Sequence, residues 1–411
     1  LRILFLNPVG ILGGAERALL DLLACLRRLD PGLSLFLLVG TPGPLLDEAR
    51  ALGVEARLLP LPEQLSTLGD SGLRNQGPQA LWGFARRLAP APALLATYLR
   101  ALRREVQALR PQLIHSNGIK THLLSPATVG LPVARVWHIH DFVGERPLVR
   151  RALRGLRPLA TAAIANSQAV GEDAREVLGG VPVRVVYNGV DVERFTPGPG
   201  DGARLDGLAG LPPAAEGTLR IGLVATYARW KGHDVFLQAA AGLVRACPTV
   251  PLRFYLVGAP LYRTQASQFS EAELRGFVKA LGLEGQVGLV PFQQDPVAVY
   301  RALDIFVHAS TRREPFGLTI AEAMACGRPT VLSRASGAAE QITEGVEALS
   351  VPPGEPTLLT TALRGLVENA GLREHLGRSA RQAAVARFSR ERYARQILSL
   401  YRSLPAAQGT P

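Results

Sequence analysis

Short apolar runs alternate with glycine-bearing breaks and stretches of helical period along most of the chain. Residues 2–7 read as a buried strand. Gly10, Gly13 and Gly14 make a turn, and residues 15–29 repeat apolar positions at helical spacing. Residues 34–39 form a second strand-like run, closed by Thr41-Pro42-Gly43-Pro44. Further runs lie at 113–116, 134–140, 162–166 and 183–187. Strands that alternate with helices predict a doubly wound α/β fold with a parallel sheet. Residues 195–217 lose the pattern, turn rich in Pro, Gly and Ala, and read as a linker. Alternation resumes at 221–225, 254–257, 287–290, 305–309 and 330–333. The pattern therefore predicts an α/β domain over 1–194, a second over 218–385, and a terminal helix and tail over 386–411. The terminal helix sets Tyr393, Ile397, Leu398 and Tyr401 on one face. A length of 411 residues suits two domains.

Composition narrows the class. With 47% hydrophobic and 19% charged residues, wholesale disorder is excluded. No uncharged apolar run is long enough to span a membrane, and the first seven residues are too short for a signal h-region. Cys25, Cys247 and Cys326 are odd in number and far apart, which fits neither a disulfide framework nor a zinc site and points to a reducing compartment. The 46 basic and 34 acidic residues leave a net charge of +12, which suits an anionic partner: a nucleotide, nucleic acid or a membrane surface. Nucleic acid is disfavoured because the arginines are dispersed and no binding motif accompanies them. The most basic helical region is 78–110, where Arg86, Arg87, Arg100, Arg103, Arg104 and Arg110 lie among Trp82, Phe84 and Tyr98. It reads either as a solvated helix pair packed on the sheet or as a surface for anionic lipid.

The richest chemistry lies between Asp304 and Pro329. A strand ends near Ser310, and a loop carries Glu314, Pro315, Phe316 and Gly317. A short helix then starts near Leu318 or Thr319 and stops at Gly327. Glu314 is thus expected at the carboxyl end of a strand, where open α/β sheets bind ligands, and Glu322 about one turn into the helix. The helix start between them would bind an anion. Two carboxylates around such a start suit a sugar nucleotide: the carboxylates accept from sugar and ribose hydroxyls while the backbone holds phosphate. A second cluster, Ala228-Arg229-Trp230-Lys231-Gly232, follows the strand at 221–225. Its ammonium and guanidinium together can neutralise a diphosphate. The Gly13-Gly14 loop allows close backbone approach and offers N–H groups at a helix start. His138 and His140 close a strand on the same side. They read as a core or surface pair, as metal ligands lacking a third and fourth partner nearby, or with His140 facing a ligand and Asp141 placed to orient it.

The 304–329 segment resembles the Glu-x7-Glu signature of the retaining glycosyltransferases of family 4, which have the two-domain GT-B architecture. Gly13-Gly14-Ala15-Glu16 is similar to that family's Gly-Gly-x-Glu loop, and Asn188-Gly189-Val190-Asp191 with Phe195 to its Asn-Gly-Val-Asp segment. Ser336-Gly337 with Glu340 is similar to its Gly-x-x-Glu stretch. The resemblance runs from Leu4 to about Tyr401. It implies two Rossmann-like domains facing a cleft, with the last helix crossing back to the first. It also implies that the nucleotide sugar is held mostly by the second domain and the acceptor mostly by the first.

The resemblance assigns Glu314 and His140 to the donor sugar as catalytic residues. Arg229, Lys231, Phe316, Gly317, Leu318 and Glu322 fall to donor binding, and Gly13 and Gly14 border the diphosphate or the acceptor. One departure stands out: the family's arginine five positions before the lysine is here Thr226. With no Asp-x-Asp motif, no bridging metal and no cofactor are expected. The expected activity is hexosyl transfer from a nucleoside-diphosphate sugar to a glycan or lipid-linked acceptor with retention, in the cytoplasm or at the inner face of the membrane. A GT-B epimerase, a phosphorylase and a non-catalytic sugar-nucleotide scaffold are the competing readings.

Overall fold

The strand-like runs assemble into two all-parallel sheets in the computed structural model, which describes residues 1–62, 91–260 and 267–405. The first unit comprises Leu1–Gly189 with Arg390–Pro411. Its elements are β1 (Arg2–Asn7), α1 (Gly14–Leu29), β2 (Ser34–Val39), α2 (Pro44–Ala51), β3 (Glu55–Leu58), α3 (Ala91–Leu109), β4 (Leu113–Asn117), α4 (Ile119–His122), β5 (Ala134–Ile139), α5 (Pro147–Leu156), β6 (Ala162–Ala165), α6 (Gln168–Leu178) and β7 (Val183–Val185). The sheet order is β3-β2-β1-β4-β5-β6-β7. The central strands are buried on both faces, as continuous Leu, Ile, Val and Phe runs require. In β1, Ile3 and Phe5 pack under α1 and α2, while Leu4 and Leu6 meet Tyr98, Leu102 and Val106 of α3 on the opposite face.

The second unit spans Val190–Ser389. It contains α7 (Gly202–Leu208), β8 (Leu219–Val224), α8 (His233–Ala246), β9 (Leu252–Val257), α9 (Glu271–Ala280), β10 (Val287–Val290), α10 (Val297–Ala302), β11 (Ile305–His308), α11 (Leu318–Ala325), β12 (Thr330–Ser333), β13 (Leu349–Val351), α12 (Pro356–Glu368) and α13 (Ala370–Arg387). Its sheet order is β10-β9-β8-β11-β12-β13. The last helix, α14 (Arg390–Ser403), belongs to the first unit, as the resemblance implied. Tyr393, Ile397 and Tyr401 are fully buried there with Leu19, Leu22 and Leu26 of α1. Side chains of this size contribute about 1.5–3 kcal/mol each on burial, enough to hold a terminal helix in place.

The boundaries differ from those expected. The units divide at Gly189/Val190 and Ser389/Arg390, and residues 195–217 are not a free linker. Asp201 caps α7 by accepting from the Arg204 N–H at 2.9 Å, and Leu205 and Ala209 pack against Tyr255 and Val257. The Asp206 carboxylate is buried, accepts from Arg220 at 2.8 Å and from the Tyr255 hydroxyl, and forms an ion pair with Arg253 at 2.9 Å. A buried ion cluster anchors a segment whose own propensity is weak, so periodicity alone missed it. Strands β3 and β13 were missed because they are short edge strands with polar or half-exposed positions. Of the basic region 78–110, Arg86, Arg87, Trp82 and Phe84 lie outside the described residues. In α3, Arg103 donates to the carbonyls of Ala127 and Val129 at 3.1 and 2.8 Å.

Candidate active site

In the second unit the strand order reverses between β8 and β11, which pair in parallel through Val307 and Leu223. Such a reversal opens a crevice at the carboxyl ends of the two strands. The turn after β8 carries Lys231, and the turn after β11 carries Glu314. Gly232 adopts φ 75°, and a Cβ there would lie 2.0 Å from the Ala309 carbonyl oxygen. Only glycine permits that left-handed backbone and that approach. The close fit brings the lysine turn against the end of β11, where the Thr311 N–H donates to the Trp230 carbonyl at 2.8 Å.

Lys231 and Glu314 thereby meet: Nζ donates to Oε1 at 2.5 Å. Their side chains are only 15% and 7% exposed. The other carboxylate oxygen, Oε2, accepts from His308 Nε2 and Ser310 Oγ, each at 2.6 Å. Burial opposes the charge on Glu314, but the adjacent Lys231 and His308 outweigh it and hold its carboxyl well below the usual carboxylate range. The Glu314 backbone is fixed as well. Its N–H donates to Ala335 O at 2.7 Å, and its carbonyl accepts from the Gly337 N–H at 3.0 Å. His308 and Ser310 were missed by sequence reasoning. The available signal was their alternation at the strand end, which turns both toward one side.

The start of α11 lies beside this pair. Gly317 takes φ 97° at the N-cap, and a Cβ there would stand 2.9 Å from Ile320 Cδ1 and 3.7 Å from Glu314 Oε1. Leu318 opens the helix. Phe316 is buried against Phe388, with ring centroids 5.7 Å apart, so its side chain packs the loop. Glu322, one turn along, accepts from the Tyr300 hydroxyl at 2.6 Å. Arg229 does not join Lys231 on the carboxylate. Its guanidinium donates to Glu273 at 2.5 Å and stacks over Phe269 at 4.5 Å.

In the first unit the strand order reverses between β1 and β4. Asn7 and Asn117 end these strands and join through Asn117 Nδ2 and Asn7 Oδ1 at 2.7 Å. Asn7 Nδ2 donates to Glu16 Oε1 at 3.3 Å, and Glu16 Oε2 accepts from the Gly13 N–H at 3.0 Å. The glycine loop is thus closed by its own glutamate, with Gly14 as the first residue of α1. His140 Nε2 meets Asn117 Oδ1 at 2.6 Å, so that nitrogen carries the proton. Burial pushes the His140 ring down to about 4. Asp141 does not orient it, contrary to expectation. The aspartate accepts from the Phe142 N–H at 2.9 Å and pairs with Arg146. Behind His140 lies a buried chain in which His138 Nδ1 meets His115 Nε2 at 3.2 Å and Tyr401 OH meets His115 Nδ1 at 2.6 Å. Among the described residues, no three His, Cys, Asp or Glu side chains gather to hold a metal ion, and no helix is long and apolar enough to cross a membrane.

Comparisons with known proteins match the two halves of the chain separately. Residues 12–194 match the family described as Glycosyltransferase Family 4, and residues 212–383 match Glycosyl transferases group 1. The D-inositol 3-phosphate glycosyltransferase 1 of Catenulispora acidiphila is 30% identical over 308 residues, covering 73% of this chain and 68% of that protein. The D-inositol 3-phosphate glycosyltransferase of Corynebacterium urealyticum is 34% identical over 227 residues, covering 54% of this chain and 51% of that protein. With relatives such as the latter, the match spans only about half of their length. The crystal structure of Anabaena HepE in complex with UDP superposes with a TM-score of 0.77 at 26% identity, covering 98% of this chain and all of that one. Its complex with UDP-glucose gives 0.75 at the same identity.

Proposed function

The chain belongs to the family 4 and group 1 glycosyltransferases, and on that premise we propose that it transfers a hexose from a nucleoside-diphosphate sugar, with retention, to a hydroxyl of a glycan, a polyol or a lipid-linked sugar. The observation that carries this reading is the buried Lys231–Glu314 pair at the strand-order reversal, beside the start of α11. A cation and two carboxylates around a helix N-terminus match the three demands of such a donor. Lys231 and the helix start would meet the diphosphate, and charge placed there stabilises the departing group most directly. Glu314 would hold sugar hydroxyls, and Glu322, braced by Tyr300, would take the ribose. Both Glu314 oxygens already accept strong hydrogen bonds, which favours a holding role over attack on the anomeric carbon. The acceptor proton would then pass to the departing phosphate. His140 is neutral near pH 7 and commits Nε2 to Asn117, so this reading assigns it no proton transfer.

A uridine donor is favoured because HepE, similar over nearly the whole chain, is described with UDP and with UDP-glucose. Calorimetry with UDP, GDP and ADP, without added metal, tests the reading. One nucleoside diphosphate should bind to the native chain, and Lys231→Ala should weaken it about 30-fold or more, the scale of a lost charge-assisted contact. No binding of any of the three to the native chain would sink the proposal. Binding without transfer of sugar to any acceptor or to water would leave a sugar-nucleotide scaffold.

A further inference from the structure

The two oxygens of Glu314 are held in different ways. Oε2 accepts from His308, the last residue of β11, and from Ser310 two residues on, and these are 4% and 0% exposed. Oε1 accepts from Lys231, whose long side chain springs from a single 3₁₀ turn, Arg229–Lys231, and whose Nζ also lies 4.3 Å from the Trp230 ring centroid. Oε1 is also the oxygen that faces the start of α11 at Gly317. An ammonium on a flexible stem can change partners, whereas two short donors on a strand end cannot follow it.

We propose that the Lys231–Glu314 ion pair is a latch exchanged for donor: the diphosphate draws Lys231 off Oε1, opening that oxygen to a sugar hydroxyl, while His308 and Ser310 keep the carboxylate in place. This rests on the nucleotide-sugar reading above and adds an order to it. Sugar recognition by Glu314 depends on prior capture of Lys231 by phosphate, so the carboxylate is screened until the donor is seated. His308 and Ser310 are positioning residues that act through Glu314. His308 turns Nε2 to the carboxylate, while its Nδ1 is buried without a hydrogen-bond partner, so the ring serves Glu314 through one nitrogen.

The latch has a signed consequence. Freeing Lys231 is a cost charged against diphosphate binding, so removing the carboxylate charge should tighten it. Calorimetry on the native chain and on Glu314→Gln, with UDP, GDP and ADP and the matching monophosphates, measures this. The nucleoside diphosphate that binds should bind Glu314→Gln about tenfold more tightly, while its monophosphate changes less than about twofold. Equal or weaker diphosphate binding by Glu314→Gln overturns the latch and leaves the transferase reading intact. Equal tightening of the monophosphate also overturns it, because simple charge repulsion would then suffice. Absence of diphosphate binding by the native chain removes the underlying reading, and the latch with it. The positioning role is read separately. Ser310→Ala and His308→Phe should raise the KM for the nucleotide sugar at least fivefold, with nucleoside-diphosphate affinity unchanged within about twofold. His308→Gln, which restores an N–H donor at the position of Nε2, should recover most of the loss. Equal loss of nucleoside-diphosphate affinity in these variants, or no recovery with glutamine, refutes the positioning role.

Discussion

Acid should unfold the first unit well before the second. His115, His122, His138 and His140 are packed together in and beside β4 and β5, and all four rings are kept neutral chiefly by burial. His122 is lowered to about 3 and His140 to about 4, while His115 and His138 lie well below their usual value. In the unfolded chain each takes a proton near pH 6.5, and in the folded unit none does so until the pH is far lower. The unfolded state therefore binds more protons, and stability falls as pH drops from about 7 toward 4. Each such histidine contributes about 1.4 kcal/mol of loss between pH 7.5 and 5.5, so the four together contribute on the order of 5 kcal/mol. That is comparable with the whole stability of many domains. Glu16 and Asp141, whose carboxyls burial holds above their ordinary values, act in the opposite sense, but only at lower pH. In the second unit His233, lowered to about 3 by burial and then by Lys231, adds one group of this kind.

The assay is amide hydrogen exchange in graded urea at pH 7.5, 6.5 and 5.5, read by mass spectrometry on β4 and β5 against β8 and β11. Protection of β4 and β5 should fall by on the order of 3 kcal/mol or more beyond that of β8 and β11 over this range. His122→Phe keeps the stack on Trp137 and removes one titrating group, so the slope for the first unit should drop by about a quarter. Parallel loss in both units, or no pH dependence in the first, would mean that these rings accept protons in the folded state and would refute the reasoning.

Other expectations follow from the same contacts. Arg229→Ala should change nucleoside-diphosphate affinity by less than about threefold, because the guanidinium is committed to Glu273 and Phe269 and exposed pairs of this kind contribute little; a loss matching that of Lys231→Ala would show that Arg229 turns to the donor. Asp206→Ala should cost the second unit about 3–5 kcal/mol in urea denaturation, since it strips the shared carboxylate from half-buried Arg220 and buried Arg253. A cost under about 1 kcal/mol would mean that water replaces the carboxylate at that site.

Much of the architecture was legible along the chain because parallel strands buried on both faces must be continuously apolar. Runs such as 34–39, 287–290 and 330–333 therefore coincide with β2, β10 and β12. The helix start at Leu318 and its stop before Gly327 were equally local, set by glycines at φ 97° and 69°. Lys231 and Glu314 were legible as residues but not as a pair. Eighty-three positions separate them, and only the parallel pairing of β8 with β11 and the close fit at Gly232 bring Nζ to Oε1. His308 and Ser310 gain meaning from the same convergence. Arg229 stands two positions from Lys231 in the chain, yet the turn sends the two side chains in different directions, and the guanidinium meets Glu273. Likewise Asp141 is next to His140 in the chain, but Asn117, from the neighbouring strand β4, is its partner in space. Periodicity and turn chemistry act over a few residues, so the sequence by itself determined the elements and the kinds of chemistry available. Which charges meet depends on strand order and on backbone approach across the sheet, and the tertiary structure alone decided that.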